Sequence, residues 1–299
     1  MRPADSSRQT AIAFAVATLA IALFSAMDAI MKGLSIALGA YNTLFWRTLV
    51  GIALSSTLYF ARRTPWPRRE VLRIHLLRGA VSVFMALLFF WGLARVPLAQ
   101  GVALSFVAPL IALYLAGLLL EEKIERRAVL ASLLGFAGVA VILSGQRADA
   151  LGPEAFEGAM AILASAGLYA YNIILMRRQA LVAEPVEIAF FMNVALVVGF
   201  GAAAPWLAVP PPAALVPQLA AAALLSFASL LLLSWAYARA EAQHLAPVEY
   251  TAFVWAAILG FVLFAEPVHA STLAGTTMIV AACLVAARRR PREALEGAP

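Results

Sequence analysis

Charge is scarce in this chain: Asp, Glu, Lys and Arg make up 13% of its 299 residues, whereas 64% are hydrophobic. Soluble domains hold about 45–50% apolar residues, so this composition cannot present a water-compatible surface, and a soluble enzyme is excluded. Cysteine is nearly absent. The single Cys283 excludes an intrachain disulfide and a thiolate metal cluster, and it leaves the redox compartment unread. Only three histidines occur, His75, His244 and His269, and no two stand four residues apart, so zinc or iron lacks its usual ligand spacing and no metal is expected. Neither the G-x-S-x-G elbow nor the phosphate-cradling G-x-x-x-x-G-K-[ST] loop is present. No catalytic nucleophile, cofactor or direct ATP coupling is therefore expected. Gly199-Phe200-Gly201-Ala202-Ala203-Ala204 fits the dinucleotide pattern G-x-G-x-x-A, but it lies inside an apolar run with no strand before it. Small residues there suit close helix packing instead.

What the chain does have is apolar runs long enough to cross about 30 Å of hydrocarbon as helices. Ten are read, near 11–30, 42–61, 74–94, 98–119, 128–144, 158–176, 186–207, 214–237, 245–265 and 271–287. They leave no room for a soluble catalytic or regulatory domain. Turn signals such as Gly152-Pro153, Pro205 and Pro210-Pro211-Pro212 fall near run ends and the period is helical throughout, so a β-barrel is not supported. Arg2 and Arg8 before the first run imitate a signal peptide, but losing that run would leave nine spans; it is kept as a span.

The net charge of +6 raises the question of nucleic acid, and the placement of the basic residues answers it. They alternate with the loops. With the amino terminus in the cytoplasm, the inside loops and tails carry 17 of the 22, among them Arg62, Arg63, Arg68, Arg69 and Arg73. The outside loops are assigned only Lys32, Arg95 and Arg147, with Arg47 and Arg78 inside spans. This is the positive-inside pattern, which places both termini in the cytoplasm and makes the lipid bilayer, not nucleic acid, the partner.

A helical phrase repeats. Trp91-Gly92-Leu93-Ala94-Arg95 returns 144 residues later as Trp235-Ala236-Tyr237-Ala238-Arg239, and the same offset pairs Ser82 with Ser226, Glu122 with Glu266 and Asp28 with Asn172. The repeat unit holds five spans, an odd number, so its second copy enters the membrane upside down, as in many transporters. The fold class read is therefore an all-α membrane protein of ten transmembrane helices in two inverted five-helix repeats. The repeats are drawn at residues 1–147 and 148–287, with 288–299 as a cytoplasmic tail.

Ionisable groups at membrane depth are costly and mark candidate sites. Asp28 lies about 25 Å along the first run at the helical rise, and Arg47 about 8 Å into the second, at a comparable level. An Asp28–Arg47 pair with Lys32 as rival at the outer mouth is one reading; snorkelling of Lys32 and Arg47 to the interface is the other. Arg78 and Glu249, each about one turn inside its run, are read as a possible inner pair across the repeat interface, either structural or coupled to protons or substrate. Asp28, Arg47, Arg78 and Glu249 are thus the gate or coupling charges. Ser105 lies near the midplane, and Pro109 one turn beyond it removes a backbone donor and frees a carbonyl. Tyr169 with Asn172, and Tyr250 with Phe253, share helix faces. Ser105, Pro109, Tyr169, Asn172, Tyr250 and Phe253 are the candidate substrate lining, with ordinary helix packing as the alternative for each. Trp91 and Trp235 fit an aromatic belt, and Glu122 and Glu266 fit caps for the helix that follows each.

The chain also resembles the drug/metabolite transporter superfamily, specifically its ten-helix EamA-type members. The likeness lies in Phe45-x-Arg47 opening the second span, Pro109 followed by an apolar run to Glu121-Glu122-Lys123, Gly135-x-x-Gly138-Val139 in the fifth, and Pro247-x-Glu249 leading to Glu266 and Gly275. The resemblance covers about residues 11–287. It implies a secondary active exporter of amino acids or similar amphipathic metabolites in the inner membrane, working by alternating access, and the likeness is greatest to aromatic and neutral amino-acid exporters. Asp28 and Glu249 depart from the general family pattern, which keeps cationic drugs or S-adenosylmethionine-like metabolites as an alternative. A membrane-embedded lipid-modifying enzyme is the alternative of another class. The partner implied is a small-molecule substrate; monomer and homodimer both remain open.

Overall fold

A computed structural model of the chain describes residues 3–62, 66–120, 126–148, 152–239, 245 and 248–287. Every regular element among the described residues is helical. In hydrocarbon each backbone donor and acceptor must be satisfied within the protein, and a helix does so within a single segment. The helices are α1 (Pro3–Leu38), α2 (Ala40–Ala61), α3 (Arg69–Leu93), α4 (Leu98–Ser105), α5 (Ala108–Leu120), α6 (Arg126–Ala148), α7 (Gly152–Ala180), α8 (Pro185–Gly201), α9 (Ala204–Leu207), α10 (Val216–Tyr237), α11 (Thr251–Phe264) and α12 (Ala270–Ala287). Six segments are long and apolar enough to cross a membrane, and four shorter apolar helices join them: Val129–Gly145, Pro185–Gly201, Thr251–Phe264 and Ala270–Ala286. The ten coincide with the ten runs of the sequence.

Two differences from the sequence reading bear on the site. The first run was drawn to residue 30, but α1 continues to Leu38. Asp28, Lys32 and Ser35 are spaced four and three apart, so they form one polar stripe on a helix whose other faces stay apolar. Gly39 then turns the chain with φ +79°, a conformation glycine adopts without strain, and α2 begins at once. Lys32 is consequently not in an outer loop; it is 2% exposed, inside the bundle. The fourth run is broken between α4 and α5. Pro109 cannot donate, and the backbone shortens to three-residue bonds there, Phe106 N to Ala103 O at 3.2 Å and Val107 N to Leu104 O at 3.3 Å. The Phe106 carbonyl is taken by Cys283 Sγ at 3.4 Å, so α12 closes the break.

The two halves pack by the same rule. α1 lies along α10, and α7, the counterpart of α1, lies along α3, the counterpart of α10. One serine fastens each pair at nearly equivalent positions: Ser229 Oγ donates to Ala20 O at 2.8 Å, and Ser165 Oγ to Met85 O at 2.8 Å. α6 and α12 pair with each other about the same axis. The repeated phrase folds identically twice. Arg95 lies over the Trp91 ring at 3.6 Å and donates to its carbonyl at 2.9 Å; Arg239 lies over Trp235 at 4.1 Å and donates to its carbonyl at 3.2 Å. Each arginine thus closes its helix and is held by cation–π attraction, a more specific role than an aromatic belt.

Close approaches depend on glycine. A Cβ on Gly138 would stand 2.7 Å from Gly275 O, so α6 and α12 touch backbone to backbone. Gly275→Leu is expected to force this pair apart and sharply lower the yield of monodisperse protein on gel filtration, whereas Gly167→Leu, where a Cβ meets nothing within 4 Å, leaves it unchanged.

Glu266 joins the halves. Its carboxylate pairs with Lys32 of α1 and accepts from Leu98 N, at the start of α4, at 2.7 Å. Lys32 Nζ also donates to Val96 O at 2.6 Å. The expectation that Glu266 caps the helix following it is corrected: it caps α4 of the other repeat. The turn that aims it is Ala265, in the left-handed region with φ 54°. Glu122, Pro247, His244 and the tail 288–299 lie outside the described residues.

Candidate substrate site

The bundle centre carries two polar patches, one along α3 and α7 and one between α1 and α2. In the first, Arg78 on α3 is oriented by α7: its Nε donates to Asn172 Oδ1 at 3.0 Å, and its Nη1 donates to Gln179 Oε1. Asn172 is itself fixed, its Nδ2 donating to Ser82 Oγ at 2.8 Å. Its amide is therefore used to hold Arg78 in place. One turn earlier on α7, Tyr169 is 40% exposed although protein surrounds it on nearly every side.

Tyr169 feels both the Arg78 and the Glu249 charges. Glu249, on the short turn of helix before α11, accepts from Tyr237 Oη of α10 at 2.7 Å. Arg78 and Glu249 do not pair: no ion pair joins them among the described residues. The expected inner pair is corrected for a physical reason. Arg78 is drawn to the amides of α7 and Glu249 to the Tyr237 hydroxyl, leaving a cation and an anion that share Tyr169 without neutralising each other. The apolar side is supplied by Phe106 and Tyr250, edge to face at 5.3 Å, with Phe253 packed against the same core cluster. Ser105 Oγ is turned back to Val102 O at 2.7 Å, and Pro109 is exposed.

The second patch holds Asp28 and Arg47. Each lies within the other's field, yet no ion pair joins them among the described residues. Asp28 is 6% exposed, and four buried polar atoms have no hydrogen-bond partner: Arg47 Nε, Thr43 Oγ1, Ser35 Oγ and Gln100 Nε2. Thr43 and Arg47 share a face of α2, as Asp28 and Ser35 share one of α1. Arg78, Asn172, Tyr169, Asp28 and Arg47 were picked from sequence, whereas Lys32 belongs to the Glu266 lock and not to an outer mouth.

Sequence reasoning missed His75, Gln179 and Glu187. His75 Nε2 lies 2.8 Å from Glu187 Oε1, and His75 Nδ1 meets the amide of Gln179. All three are buried. Gln179 falls three residues beyond the sixth run, and His75 and Glu187 stand second in theirs, so none lies at the membrane depth that marks a candidate. The signal available was three polar residues bunched at the ends of three successive-contact helices.

A bundle of ten apolar helices in two repeats of five, with charged and polar side chains buried among them, is the architecture of a multi-pass membrane transporter. The chain belongs to the EamA-like transporter family, which matches residues 11–144 and 156–288. It is similar to the pseudopaline exporter of Pseudomonas aeruginosa, 26% identical over 92% of this chain and 95% of that protein. It is likewise similar to the S-adenosylmethionine uptake transporter of Rickettsia bellii, 28% identical over 89% and 90%. Neither is named an amino-acid exporter. A solved crystal structure of another protein shares the fold, with a TM-score of 0.60 at 22% identity over 93% of this chain and 96% of that one. The family and these relatives are transporters, not enzymes.

Proposed function

We propose that this protein is a secondary carrier of the cytoplasmic membrane, both termini inside, that exports zwitterionic amphipathic metabolites, amino acids or molecules bearing an amino-acid head, by alternating access. The observation that carries this reading is that Arg78 and Glu249, which form no ion pair with each other, both lie near enough to Tyr169 to act on it. A guanidinium matches a carboxylate, a carboxylate matches an ammonium, and an aromatic ring near both accepts an apolar stem. Residues 1–147 and 148–287 are the two halves that rock about the site. The resemblance to a pseudopaline exporter supports outward movement, and the S-adenosylmethionine uptake relative supports an amino-acid-bearing cation as a second substrate class.

Counterflow in proteoliposomes tests it, using labelled neutral and aromatic amino acids, their decarboxylated amines and S-adenosylmethionine. Saturable exchange of at least one zwitterion is expected; binding without exchange in the whole panel rejects the carrier reading. Glu249→Gln keeps an acceptor for Tyr237 but removes the charge. It is expected to raise KM for ammonium-bearing substrates about tenfold, the scale of one charged hydrogen bond. An unchanged KM would assign Glu249 to holding Tyr237 alone.

A further inference from the structure

We infer that His75 and Gln179 form a proton-operated latch on Arg78: protonating His75 releases an Arg78 donor for a substrate carboxylate. This rests on the carrier reading above, but its first test does not.

The chain of contacts runs Glu187, His75, Gln179, Arg78, across α8, α3 and α7. Its polarity is forced. A guanidinium only donates, so the Gln179 atom facing Arg78 Nη1 is the carbonyl oxygen. The Gln179 amide nitrogen then faces His75 Nδ1, which must be bare to accept from it. The ring proton therefore sits on Nε2 and is donated to Glu187 Oε1 at 2.8 Å. Phe191, stacked on the imidazole at 4.8 Å and 11°, holds the ring plane. His75 and Gln179 are each 1% exposed and Glu187 8%, so water does not relax the arrangement.

A second proton on His75 converts Nδ1 into a donor. It then faces the Gln179 amide donors, and the relief is rotation of the amide so that its oxygen turns to His75. The amide nitrogen now faces Arg78, donor against donor, and Nη1 is released. Arg78 does not drift, because Nε remains bonded to Asn172 at 3.0 Å. The added charge on His75 is met by Glu187. The titratable groups around the latch are Glu187 from α8, Tyr59 from α2, which faces Glu187, and Tyr169 from α7, which faces Arg78. On α1, Asp28 and Lys32 are turned to Arg47 and Glu266, and α4 carries no titratable side chain. Histidine is the side chain that changes charge between about pH 5 and 8. By linkage, proton and carboxylate binding favour each other.

Nitrogen-15 NMR of the purified full chain tests the latch without any substrate, with His75 assigned by the signal lost in His75→Asn. At about pH 8 the Nε2–H tautomer is expected, and on acidification the Gln179 side-chain amide shifts with the His75 midpoint. An Nδ1–H tautomer, or a Gln179 amide that does not follow, overturns the latch whatever is transported. In counterflow, KM for a carboxylate substrate is expected to rise about tenfold between about pH 5.5 and about pH 8, and the corresponding carboxamide shows no rise. Gln179→Met is expected to hold KM low at both values; a wild-type slope in this variant also overturns the proposal. Coupled NMR shifts with no counterflow of any zwitterion would instead leave the latch standing and reject the carrier reading.

Discussion

Glu266→Gln is expected to destabilise the protein by about 3–5 kcal/mol, the scale for stranding one partner of a buried ion pair. Gln retains an acceptor for Leu98 N, so the helix cap survives and the loss reports the stranded Lys32 ammonium. Lys32 is 2% exposed and keeps only the Val96 carbonyl as a polar partner. Removing both charges should largely reverse the effect: Lys32→Met, the residue that position 176 carries in the other repeat, combined with Glu266→Gln, is expected to return to near wild-type stability. Thermal unfolding of the four proteins in detergent closes this double-mutant cycle. If the double variant melts as low as Glu266→Gln alone, the ion pair is not what the carboxylate contributes.

Arg78→Ala is expected to raise KM for carboxylate-bearing substrates about a hundredfold, equivalent to about 2.7 kcal/mol. Decarboxylated amines should lose far less, because Glu249 still faces them. Arg78→Lys keeps the charge but presents a point donor in place of a planar fork, and it cannot hold Asn172 and Gln179 while also bonding substrate. It is expected to recover only part of the affinity. Equal losses for amines and zwitterions in Arg78→Ala would move this arginine from ligand recognition to helix packing.

The fold was legible because hydrophobic runs and loop charge are additive properties of composition along the chain. Ten spans, their helical period and the duplicated Trp-x-x-x-Arg phrase are read directly, and the second copy closes its helix with the same ring stacking and carbonyl bond as the first. The boundary of α1 was not legible, because Asp28 and Lys32 lower local hydropathy as a loop does. Only the Lys32–Glu266 pair and the burial of Asp28 reveal that the stripe is interior. The site was half legible. Arg78, one turn inside its run, was found by depth and Asn172 by its face shared with Tyr169, whereas which charges meet depends on helices far apart in sequence. Arg78 was matched with Glu249 when its partners are Asn172 and Gln179. Glu187 and His75, near run ends, are invisible to a depth criterion, and they stand 112 residues apart on α8 and α3.

The duplication is not a perfect mirror where it joins the halves. Lys32 ties α1 to Glu266, and the corresponding position in the second half is Met176, which has no charge to offer. Exchanging Lys32 with Met176 would therefore carry a shielded positive charge from one half of the bundle to the other, away from the carboxylate that now meets it.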